Sequence, residues 1–243
     1  MPSSPETADA ARTARGERRR ARTRAAILDA AEEVFRAEGV RGARVEAIAG
    51  AADLSVGTIY LHFGGKHDVL MGLVERSLGD FEAYMERTEG PGLTPLQRVL
   101  AGGDAYLRFH LEHPGSFELL AAGTLAEAEA ADADVVARVQ DRVNALLERF
   151  AGLVDAAVAA GEARPVDAGH LTRFLWGSWN GVIALQRQLP GLRPTDDEIA
   201  ATLETGRWLL REALAGDGLR DARGHVGERV PMPVVASPAD AEG

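Results

Sequence analysis

Apolar positions recur with a helical spacing along almost the whole chain. Ile27, Ala31 and Val34 follow one another every three or four residues, which places their side chains on one face of a helix. Further stripes of this kind are predicted at about residues 45–52, 55–63, 69–74, 95–112, 133–160, 167–188 and 195–215. The apolar–polar alternation that is typical of strands does not occur. The pattern therefore predicts an all-α fold.

Both ends of the chain lack this periodicity. Residues 1–20, rich in Pro, Ser, Ala and Arg, are expected to form a disordered arm that carries arginines. Residues 216–243, rich in Gly, Pro and charged residues, are expected to form a flexible tail. Between these ends, the glycine pair at 64–65 separates a group of short helices, residues 21–67, from longer helices in residues 68–215. We therefore expect two helical domains.

Length and composition exclude several classes of protein. With 243 residues, 46% of them hydrophobic, the chain is long and apolar enough for a packed core. It has no cysteine, which excludes disulfides and thiolate metal sites. No apolar run approaches the roughly 20 residues that cross a bilayer, and the N-terminus lacks an apolar secretion core. We therefore expect a cytoplasmic protein with no membrane partner.

The charge is unevenly distributed along the chain. The net charge of −10 would argue against a nucleic-acid partner, but residues 1–67 carry a net charge of +2 and the remainder −12. The stretch RGERRRARTR, Arg15 to Arg24, is the most basic part. A basic end joined to an acidic body indicates that the N-terminal end meets a polyanion. The alternative is a solvated, disordered basic tail.

The stretch LSVGTIYLHFGGK, Leu54 to Lys66, predicts a short helix that follows another short helix after a tight turn. Ser55 suits the N-cap, and Ile59 and Phe63 are expected to anchor the helix to the core. The opposite side then offers small and polar side chains to a major groove, which is about 12 Å wide and admits one helix. These candidates are Val56, Gly57, Thr58, Tyr60 and His62, with Lys66, the only lysine of the chain, as a phosphate clamp.

These residues resemble a known family. RVEAIAGAADLSVGTIYLHFGGKHDVL is similar to the DNA-binding segment of TetR-type transcriptional repressors, with its aromatic-x-His-aromatic run and the Lys and acidic residue that open the fourth helix. The upstream AAILDAAEEVFRAEGV resembles the first helix of that family. The resemblance covers about residues 22–74. It implies a three-helix DNA-binding domain, with helix-turn-helix, over residues 21–67.

The resemblance assigns contacts to individual residues. Thr58 and Val56 would lie nearest the bases, and Tyr60, His62 and Lys66 mainly on phosphates. The sequence departs from the family at Arg44, where a Thr is common, and at Asp53, where a Gly is common. Arg44 is an extra phosphate or base contact in this interpretation, and Asp53 serves the turn. The candidate DNA-binding residues are Arg44, Ser55, Val56, Gly57, Thr58, Tyr60, His62 and Lys66.

For residues 68–215 the resemblance implies a larger C-terminal helical bundle for ligand binding and dimerisation. Aromatic side chains with a few polar groups suit a small apolar effector, although each of them can equally be ordinary core. The candidate ligand-binding residues are Phe81, Tyr84, Met85, Tyr106, Phe109, His110, Phe117, Trp176, Trp179 and Asn180. His110 and His113 are three residues apart, but helix-end histidines need no metal, so neither a metal nor another cofactor is expected.

The stretch FLWGSWNGVIAL, Phe174 to Leu185, indicates a homodimer. Its glycines lie one turn apart and make a smooth face on which another helix can lie closely; packing within one subunit is the alternative. The helix at 195–215 would complete a four-helix interface. The candidate interface residues are Gly177, Ser178, Gly181, Leu185, Leu203 and Leu210.

Together these features favour a ligand-responsive transcriptional regulator, a repressor that a small apolar molecule releases from double-stranded DNA containing an inverted repeat. An alternative is an all-α enzyme or metal-binding protein with an incidental helix-turn-helix. The chain lacks the Glu-x-x-His pair, the Gly-x-Ser-x-Gly elbow and the phosphate loop that such enzymes use, so we expect no enzyme. A second alternative, an architectural DNA binder without a ligand, is disfavoured by the acidic body.

Overall fold

A computed structural model describes residues 5–115, 130–226 and 230–237, with the backbone alone for residues 5–11 and Arg187. Within these ranges the regular structure is helical, apart from one antiparallel bridge between Ala163 and Ala215. The α-helices are α1 (Pro5–Gly42), α2 (Val45–Ala51), α3 (Val56–His62), α4 (Lys66–Glu86), α5 (Pro95–Glu112), α6 (Ala133–Ala159), α7 (Ala168–Ala184) and α8 (Asp196–Leu214). Short 3-10 helices cover Arg87–Glu89, Leu185–Arg187 and Asp217–Leu219. The predicted all-α fold is confirmed.

In the ranges that the structure describes, no helix has the combined length and hydropathy that a membrane-spanning segment requires.

The described residues form two compact units. The N-terminal unit contains α1 to α3, the part of α4 up to Glu75, and residues 130–137; the C-terminal unit contains the described residues from Arg76 to 115 and from Arg138 onward. The sequence pattern places the boundary at 67/68 instead, at the start of α4. The first turns of α4 belong to the N-terminal unit because they pack tightly there: a Cβ on Gly72 would lie 2.8 Å from the Phe63 ring.

The core of the N-terminal unit consists of the apolar face that the spacing predicts. Ile27, Ala31 and Phe35 of α1 are buried, together with Ile48 of α2 and Ile59 of α3. Each helix contributes one face, and their exposed faces carry the polar residues. The unit therefore leaves one side of its short helices available to a partner.

The beginning of α1 corrects an expectation. Residues 1–20 were expected to form a disordered arm, yet α1 begins at Pro5 and is helical through the arginine-rich stretch. The physical reason is local composition. Proline suits the first helical position, and Ala, Arg and Glu are among the best helix formers, so nothing stops the helix before Gly39. At Gly39 the backbone turns to a φ of 69°, a left-handed conformation that glycine adopts readily and that ends the regular helix.

The C-terminal unit is built around α5. Its side chains are buried at Leu96, from Val99 to Leu107, and again at Phe109 and His110. Thr94 caps α5 with Gln97 in a capping box, and Thr195 caps α8 with Glu198 in the same way. α8 packs on α5 and on α7. A helix buried on all sides is the natural centre of such a bundle.

A buried ion pair joins α5 to α8. Arg207 donates from Nη1 to Asp104 Oδ1 at 2.9 Å, and both side chains are almost wholly buried. Asp104 also accepts from Arg108 Nε at 3.0 Å and from the Val235 amide at 2.6 Å. Removing one partner of such a pair would leave the other charge buried without compensation.

The C-terminal segment corrects a second expectation. Residues 216–243 were expected to form a flexible tail, but Val226, Val230 and Val235 are buried against the core. Arg207 Nη2 donates to the Pro233 carbonyl at 2.7 Å, and Ser237 Oγ donates to Glu112 at 2.6 Å. Burial of three valines and fixed main-chain partners offsets the entropy lost by ordering the segment. Sequence composition alone does not reveal these partners.

Candidate functional site

The α2–α3 turn is fixed by its backbone. Asp53 adopts a φ of 53°, which Asp tolerates better than most residues, and the Leu54 amide donates to the Ala49 carbonyl at 2.9 Å. Ser55 then caps α3, because its Oγ accepts from the Thr58 amide at 3.1 Å. The predicted roles of Asp53 in the turn and Ser55 as N-cap agree with this geometry. The turn sets the direction in which α3 leaves α2.

α3 has a buried and an exposed face. Ile59 is fully buried, and Phe63, directly after the helix, is buried as well. We define the outer face of α3 as Gly57, Thr58, Tyr60 and Leu61. Tyr60 is 55% exposed, and Thr58 is half-buried with its Oγ1 2.8 Å from Ser55 Oγ. Gly57, Thr58 and Tyr60 therefore face outward as the sequence predicts, in a helix short enough to enter a groove. Val56, also predicted to face outward, is half-buried and lies outside this face, because it is three residues from Ile59 and shares the side of the anchors.

Sequence reasoning missed Leu61. It is 75% exposed, more than any other large apolar side chain described in the N-terminal unit, and it lies one turn from Gly57 on the outer face of α3. An aliphatic side chain at such a position suits the methyl group of a thymine. The signal was present in the sequence, since Leu61 falls opposite the Ile59 and Phe63 anchors when the helix is drawn with 3.6 residues per turn.

Lys66 has a structural role in addition to the predicted one. Its Nζ donates to the Arg41 carbonyl at 3.2 Å and to the Ala43 carbonyl at 3.1 Å. The ammonium group thus ties the end of α1 to the start of α4 and keeps one N–H direction for another acceptor. A compact group with three donors suits two carbonyls that lie close together, which a planar guanidinium would meet less well.

Arg44 occupies the N-cap of α2 with an exposed side chain and makes no side-chain capping bond, since a guanidinium has only donors.

His62 is half-buried at the end of α3. Burial is the main cause that lowers the pKa of His62, and the positive charges of Arg20 and Arg24 lower it further. His62 is therefore neutral at pH 7, and its ring offers one N–H donor to a partner.

The C-terminal unit contains a cavity of about 110 Å³. It lies between four helices, each of which contributes at least three side chains or glycine positions. The lining residues are Leu78, Phe81 and Met85 of α4, Gly102, Tyr106 and Phe109 of α5, Val143, Leu146, Leu147 and Phe150 of α6, and Thr172, Leu175, Trp176, Trp179 and Asn180 of α7. Among these described lining residues none carries a charge.

The polar groups of the cavity wall are few and mostly engaged with the protein. Thr172 Oγ1 donates to the Ala168 carbonyl at 2.7 Å, and Asn180 Nδ2 donates to the Trp176 carbonyl at 2.8 Å. Burial raises the pKa of the Tyr106 hydroxyl far above its usual value, so the group stays neutral. The Tyr106 ring lies 5.6 Å from that of Phe81 and 5.3 Å from that of Trp179. The wall is thus an uncharged aromatic surface.

Seven of the ten predicted ligand-binding residues line this cavity, namely Phe81, Met85, Tyr106, Phe109, Trp176, Trp179 and Asn180. Tyr84 does not: its hydroxyl donates to Glu112 at 2.6 Å and lies 3.0 Å from His113 Nε2. His110 is buried in α5 but outside the lining set. Phe117 lies outside the described residues. The four residues of α6 were missed because their spacing reads equally well as plain core.

One exposed face of the C-terminal unit is apolar. Phe174, Gly177, Ser178, Gly181 and Leu185 share a single side of α7 and the turn after it, and a Cβ on either glycine would meet no atom within 4 Å. We use the name α7–α8 surface for this face together with the exposed apolar side chains of α8 and of the loop between the two helices. Its large apolar members are Phe174, Leu185, Leu189, Leu192, Trp208 and Leu209.

Two predicted interface residues are corrected. Leu203 and Leu210 are buried in the subunit's own core, where neither can reach a partner helix. They fall on the inner face of α8, and Trp208 and Leu209 occupy the outer face instead. The helix itself is predicted correctly, but the spacing does not show whether the face with Leu203 and Leu210 or the face with Trp208 and Leu209 points inward.

Among the described residues, no group of three His, Asp or Glu side chains is arranged to hold a metal ion. His113 instead stacks on the Phe109 ring at 5.3 Å and contacts Tyr84.

Comparison with known proteins matches both units to one family. A family model described as bacterial regulatory proteins, tetR family, matches residues 27–71, and one described as tetracyclin repressor-like, C-terminal domain, matches residues 99–206. The chain is 42% identical over 60 residues to the fatty acid metabolism regulator protein of Bacillus subtilis, covering 25% of this chain and 31% of that protein. It is 33% identical over 73 residues to the repressor KstR of Mycobacterium tuberculosis, covering 30% and 33%.

These curated relatives are matched over about a third of their own length. Solved structures extend the likeness in fold. A tetR-family regulatory protein from Rhodococcus RHA1 superposes with a TM-score of 0.62 at 22% identity, covering 79% of this chain and 98% of that one. The ketosteroid regulator KstR2 of Mycobacterium tuberculosis superposes with a TM-score of 0.60 at 17% identity, covering 79% and 94%.

Proposed function

The chain belongs to the TetR family of bacterial regulatory proteins, and on this premise we propose that it is a homodimeric repressor released from an inverted-repeat operator by a largely apolar molecule. The family consists of transcriptional regulators, which supports a regulator over an all-α enzyme. The observation that carries the proposal is the division of the molecule into a helix with an exposed reading face and a separate unit with an uncharged cavity.

The outer face of α3 enters the major groove. Thr58, Gly57 and Leu61 face the base edges, because their small or aliphatic side chains let the helix backbone come close. Tyr60, His62 and Arg44 contact phosphates, and Lys66 uses its remaining N–H for the same purpose. Phosphate contacts fix the position of the helix, and the few groups on the groove side read the sequence.

The α7–α8 surface joins two copies of the chain. An exposed set of one tryptophan, one phenylalanine and four leucines is costly for a monomer in water. The open faces of Gly177 and Gly181 let a partner helix approach closely. A dimer of this kind presents two copies of α3 to half-sites about 34–36 Å apart, which requires an inverted repeat in the operator.

The cavity holds the effector. Because no described lining residue is charged, the part of the effector that enters it is uncharged; burial of an unpaired carboxylate would cost several kcal/mol, by a rough transfer argument. Aromatic rings of Phe81, Tyr106 and Trp179 favour hydrocarbon or ring systems. The names of two similar proteins, which refer to fatty acid metabolism and to ketosteroids, agree with a mainly hydrocarbon effector.

Release of DNA requires that the effector bind the two states of the repressor with different affinities. α4 contributes Lys66 to the N-terminal unit and Leu78, Phe81 and Met85 to the cavity, so a change in the cavity wall alters the same helix that carries Lys66. A few Å of extra separation between the two copies of α3 is enough to lose one half-site. Effector and DNA then weaken each other's binding by the same factor.

The test uses the full-length protein and genomic DNA fragments. Fragments that it retains at physiological salt are sequenced, and a duplex containing the enriched motif is titrated with and without n-decanol or decanoate at pH 8. We expect an enriched inverted repeat, and weaker binding with decanol but not with decanoate. Enrichment of no motif would reject the repressor, and equal effects of the two additives would reject an uncharged effector site.

Quenching of tryptophan fluorescence supplies a second measurement of the effector site. Trp176 and Trp179 line the cavity, and Trp208 is exposed on α8. A Trp208→Phe variant removes the signal that is remote from the cavity wall. We expect decanol to quench the remaining fluorescence in this variant as strongly as in the wild type, and no quenching in either protein would reject the cavity as the binding site.

A further inference from the structure

α1 continues far beyond the part that forms the core of the N-terminal unit. The first buried side chain of α1 is Ile27, yet the helix begins at Pro5. From Arg12 to Ala26, the part of this extension whose side chains are described, none of the side chains is buried. This stretch therefore contributes little to the core, and its composition must be explained by something other than packing.

The exposed stretch is strongly basic. Residues 12–24 contain seven arginines and a single acidic residue, Glu17. Arg15, Arg18, Arg19 and Arg22 are spaced three and four residues apart, which places them on one side of the helix. Like charges at this spacing destabilise a helix by about 0.2–0.5 kcal/mol for each pair. A helix that bears this cost gains from a polyanion that neutralises the repulsion.

The extension also starts beside the end of α3. The Arg24 guanidinium lies 4.3 Å from the centre of the Phe63 ring, and Phe63 directly follows α3. The same guanidinium is 3.2 Å from Glu75 Oε2, which fixes its position. One turn earlier, Arg20 is close enough to His62 for its charge to lower the pKa of that residue. α1 therefore passes the end of α3 that carries Tyr60 and His62.

From that point the helix runs on for twelve residues, from Arg24 back to Arg12, which is about 18 Å of helix. Duplex DNA carries one negative charge for about every 1.7 Å of its axis, so an extension of this length spans several phosphates. Arginine is also the side chain best suited to phosphate, because its planar fork can donate two parallel hydrogen bonds.

We propose that the arginine-bearing extension of α1, residues 12–24, binds backbone phosphates of the duplex beyond those contacted by α3. The inference rests on the proposed DNA binding and adds a second, sequence-independent contact surface to it. The extension carries no base-reading role here; it raises the affinity for any duplex and makes binding more sensitive to salt.

The experiment compares two double variants in the full-length protein. Arg18→Gln with Arg22→Gln removes two charges from the extension, and Arg164→Gln with Arg223→Gln removes two exposed charges from the C-terminal unit as the control. Glutamine has nearly the helix propensity of arginine, so α1 is retained. Binding to a fluorescent duplex of random sequence is measured by anisotropy at several salt concentrations, with unfolding curves recorded for each protein.

The slope of log K against log salt is negative, and each lost phosphate contact reduces its magnitude by about 0.9. One or two contacts per protomer of a dimer therefore predict a loss of roughly 2 to 4 in the slope for the variant of the extension, against no change for the control. An unchanged slope in a normally folded variant would overturn the inference, and so would a loss of equal size in the control.

The random duplex separates this inference from the proposed repressor function. If the wild-type protein shows no preference for any inverted repeat, the repressor fails, while the slopes on random DNA still decide the role of the extension. If an operator is found, we expect the same loss of slope on it. A loss confined to random DNA would overturn the assignment, because the extension would then be displaced in the specific complex.

Discussion

The two units use opposite sides of their helices for function. In the N-terminal unit, Ile59 and Phe63 hold α3 in place and the candidate contact groups lie on the exposed face. In the C-terminal unit most residues that line the cavity lie on the faces of α4 to α7 that form the core. One unit displays its site on the surface, and the other unit holds it between its helices.

This difference has consequences for evolution and for mutagenesis. Side chains on the outer face of α3 can change with little effect on stability, so DNA specificity and folding vary independently. Side chains around the cavity support the bundle as well as the ligand, and a change there alters packing together with affinity. The comparison predicts that substitutions in the N-terminal unit separate binding from stability and that those in the C-terminal unit do not.

The largest effect is expected at the buried ion pair. Asp104→Ala leaves the Arg207 guanidinium buried without its main partner and also removes the acceptor of the Val235 amide. We expect the free energy of unfolding to fall by about 3–5 kcal/mol in urea titrations. Because a Cβ on neighbouring Gly103 would lie 2.7 Å from the Trp179 ring, this region also supports the cavity wall, and ligand affinity should fall too.

Glu204→Gln is the matched control for this prediction. Glu204 contacts the same guanidinium but is about half exposed, so its charge is screened by water. We expect a loss of less than about 1 kcal/mol. Equal losses in the two variants would show that burial does not decide the contribution, and would contradict the account of the C-terminal unit.

The next effect is on DNA affinity alone. Tyr60→Ala removes a side chain that is more than half exposed. We expect operator affinity to fall about tenfold or more, which is about 1.4 kcal/mol, with an unchanged free energy of unfolding. Tyr60→Phe keeps the ring and removes the hydroxyl, so a full loss in this variant would assign the contact to a hydrogen bond. A loss of stability in Tyr60→Ala would contradict the separation of DNA binding from stability in the N-terminal unit.

The sequence predicts the N-terminal site better than the cavity, for a physical reason. On α3 the apolar anchors and the polar contacts differ in chemistry, so the period of the helix separates them. Around the cavity, Phe150 and Leu146 are chemically the same as core residues, and only three-dimensional packing shows which of them border empty space. Leu203 and Leu210 show the same limit, since apolar spacing gives a face but not its direction.

The ends of the chain were predicted least well. Val235 and Ser237 are held by partners more than 100 residues away in sequence, which no local pattern reveals. The helical extension through Arg18 and Arg22 follows from helix propensity, but residues 1–20 were interpreted as disordered because they lack an apolar periodicity. By contrast, the helix predicted at 95–112 is observed as Pro95–Glu112, because apolar spacing is a local signal.

A third effect, of similar size, is expected at Lys66, where DNA binding and stability meet in one residue. Lys66→Ala removes two hydrogen bonds to the Arg41 and Ala43 carbonyls, so we expect a loss of about 1–2 kcal/mol in unfolding free energy. The magnitude of the slope of log K against log salt for DNA binding should decrease by about one per protomer. Lys66 is thus the predicted exception to the separation of binding from stability in the N-terminal unit. An unchanged slope would leave Lys66 with its structural role alone.

The smallest effect concerns His62 and the pH. Burial, with the charges of Arg20 and Arg24, lowers the folded-state pKa of His62 below about 6.5, its value in an unfolded chain. Between these two pKa values the unfolded chain binds more protons, so the stability of the free protein falls as the pH drops through 6.5. His62→Gln lacks this proton, and its stability should depend less on pH over the same interval.

The affinity for DNA is expected to depend on pH with the opposite sign to the stability of the free protein. Phosphates near His62 favour its protonated form, so the wild type should bind DNA about two- to threefold more tightly at pH 6 than at pH 7.5, beyond the change seen in His62→Gln. The two slopes, of stability and of affinity against pH, are measured on the same samples by urea titration and anisotropy. If His62 contacts a phosphate, the slope of stability and the slope of affinity must have opposite signs. Slopes of the same sign would place His62 away from the DNA.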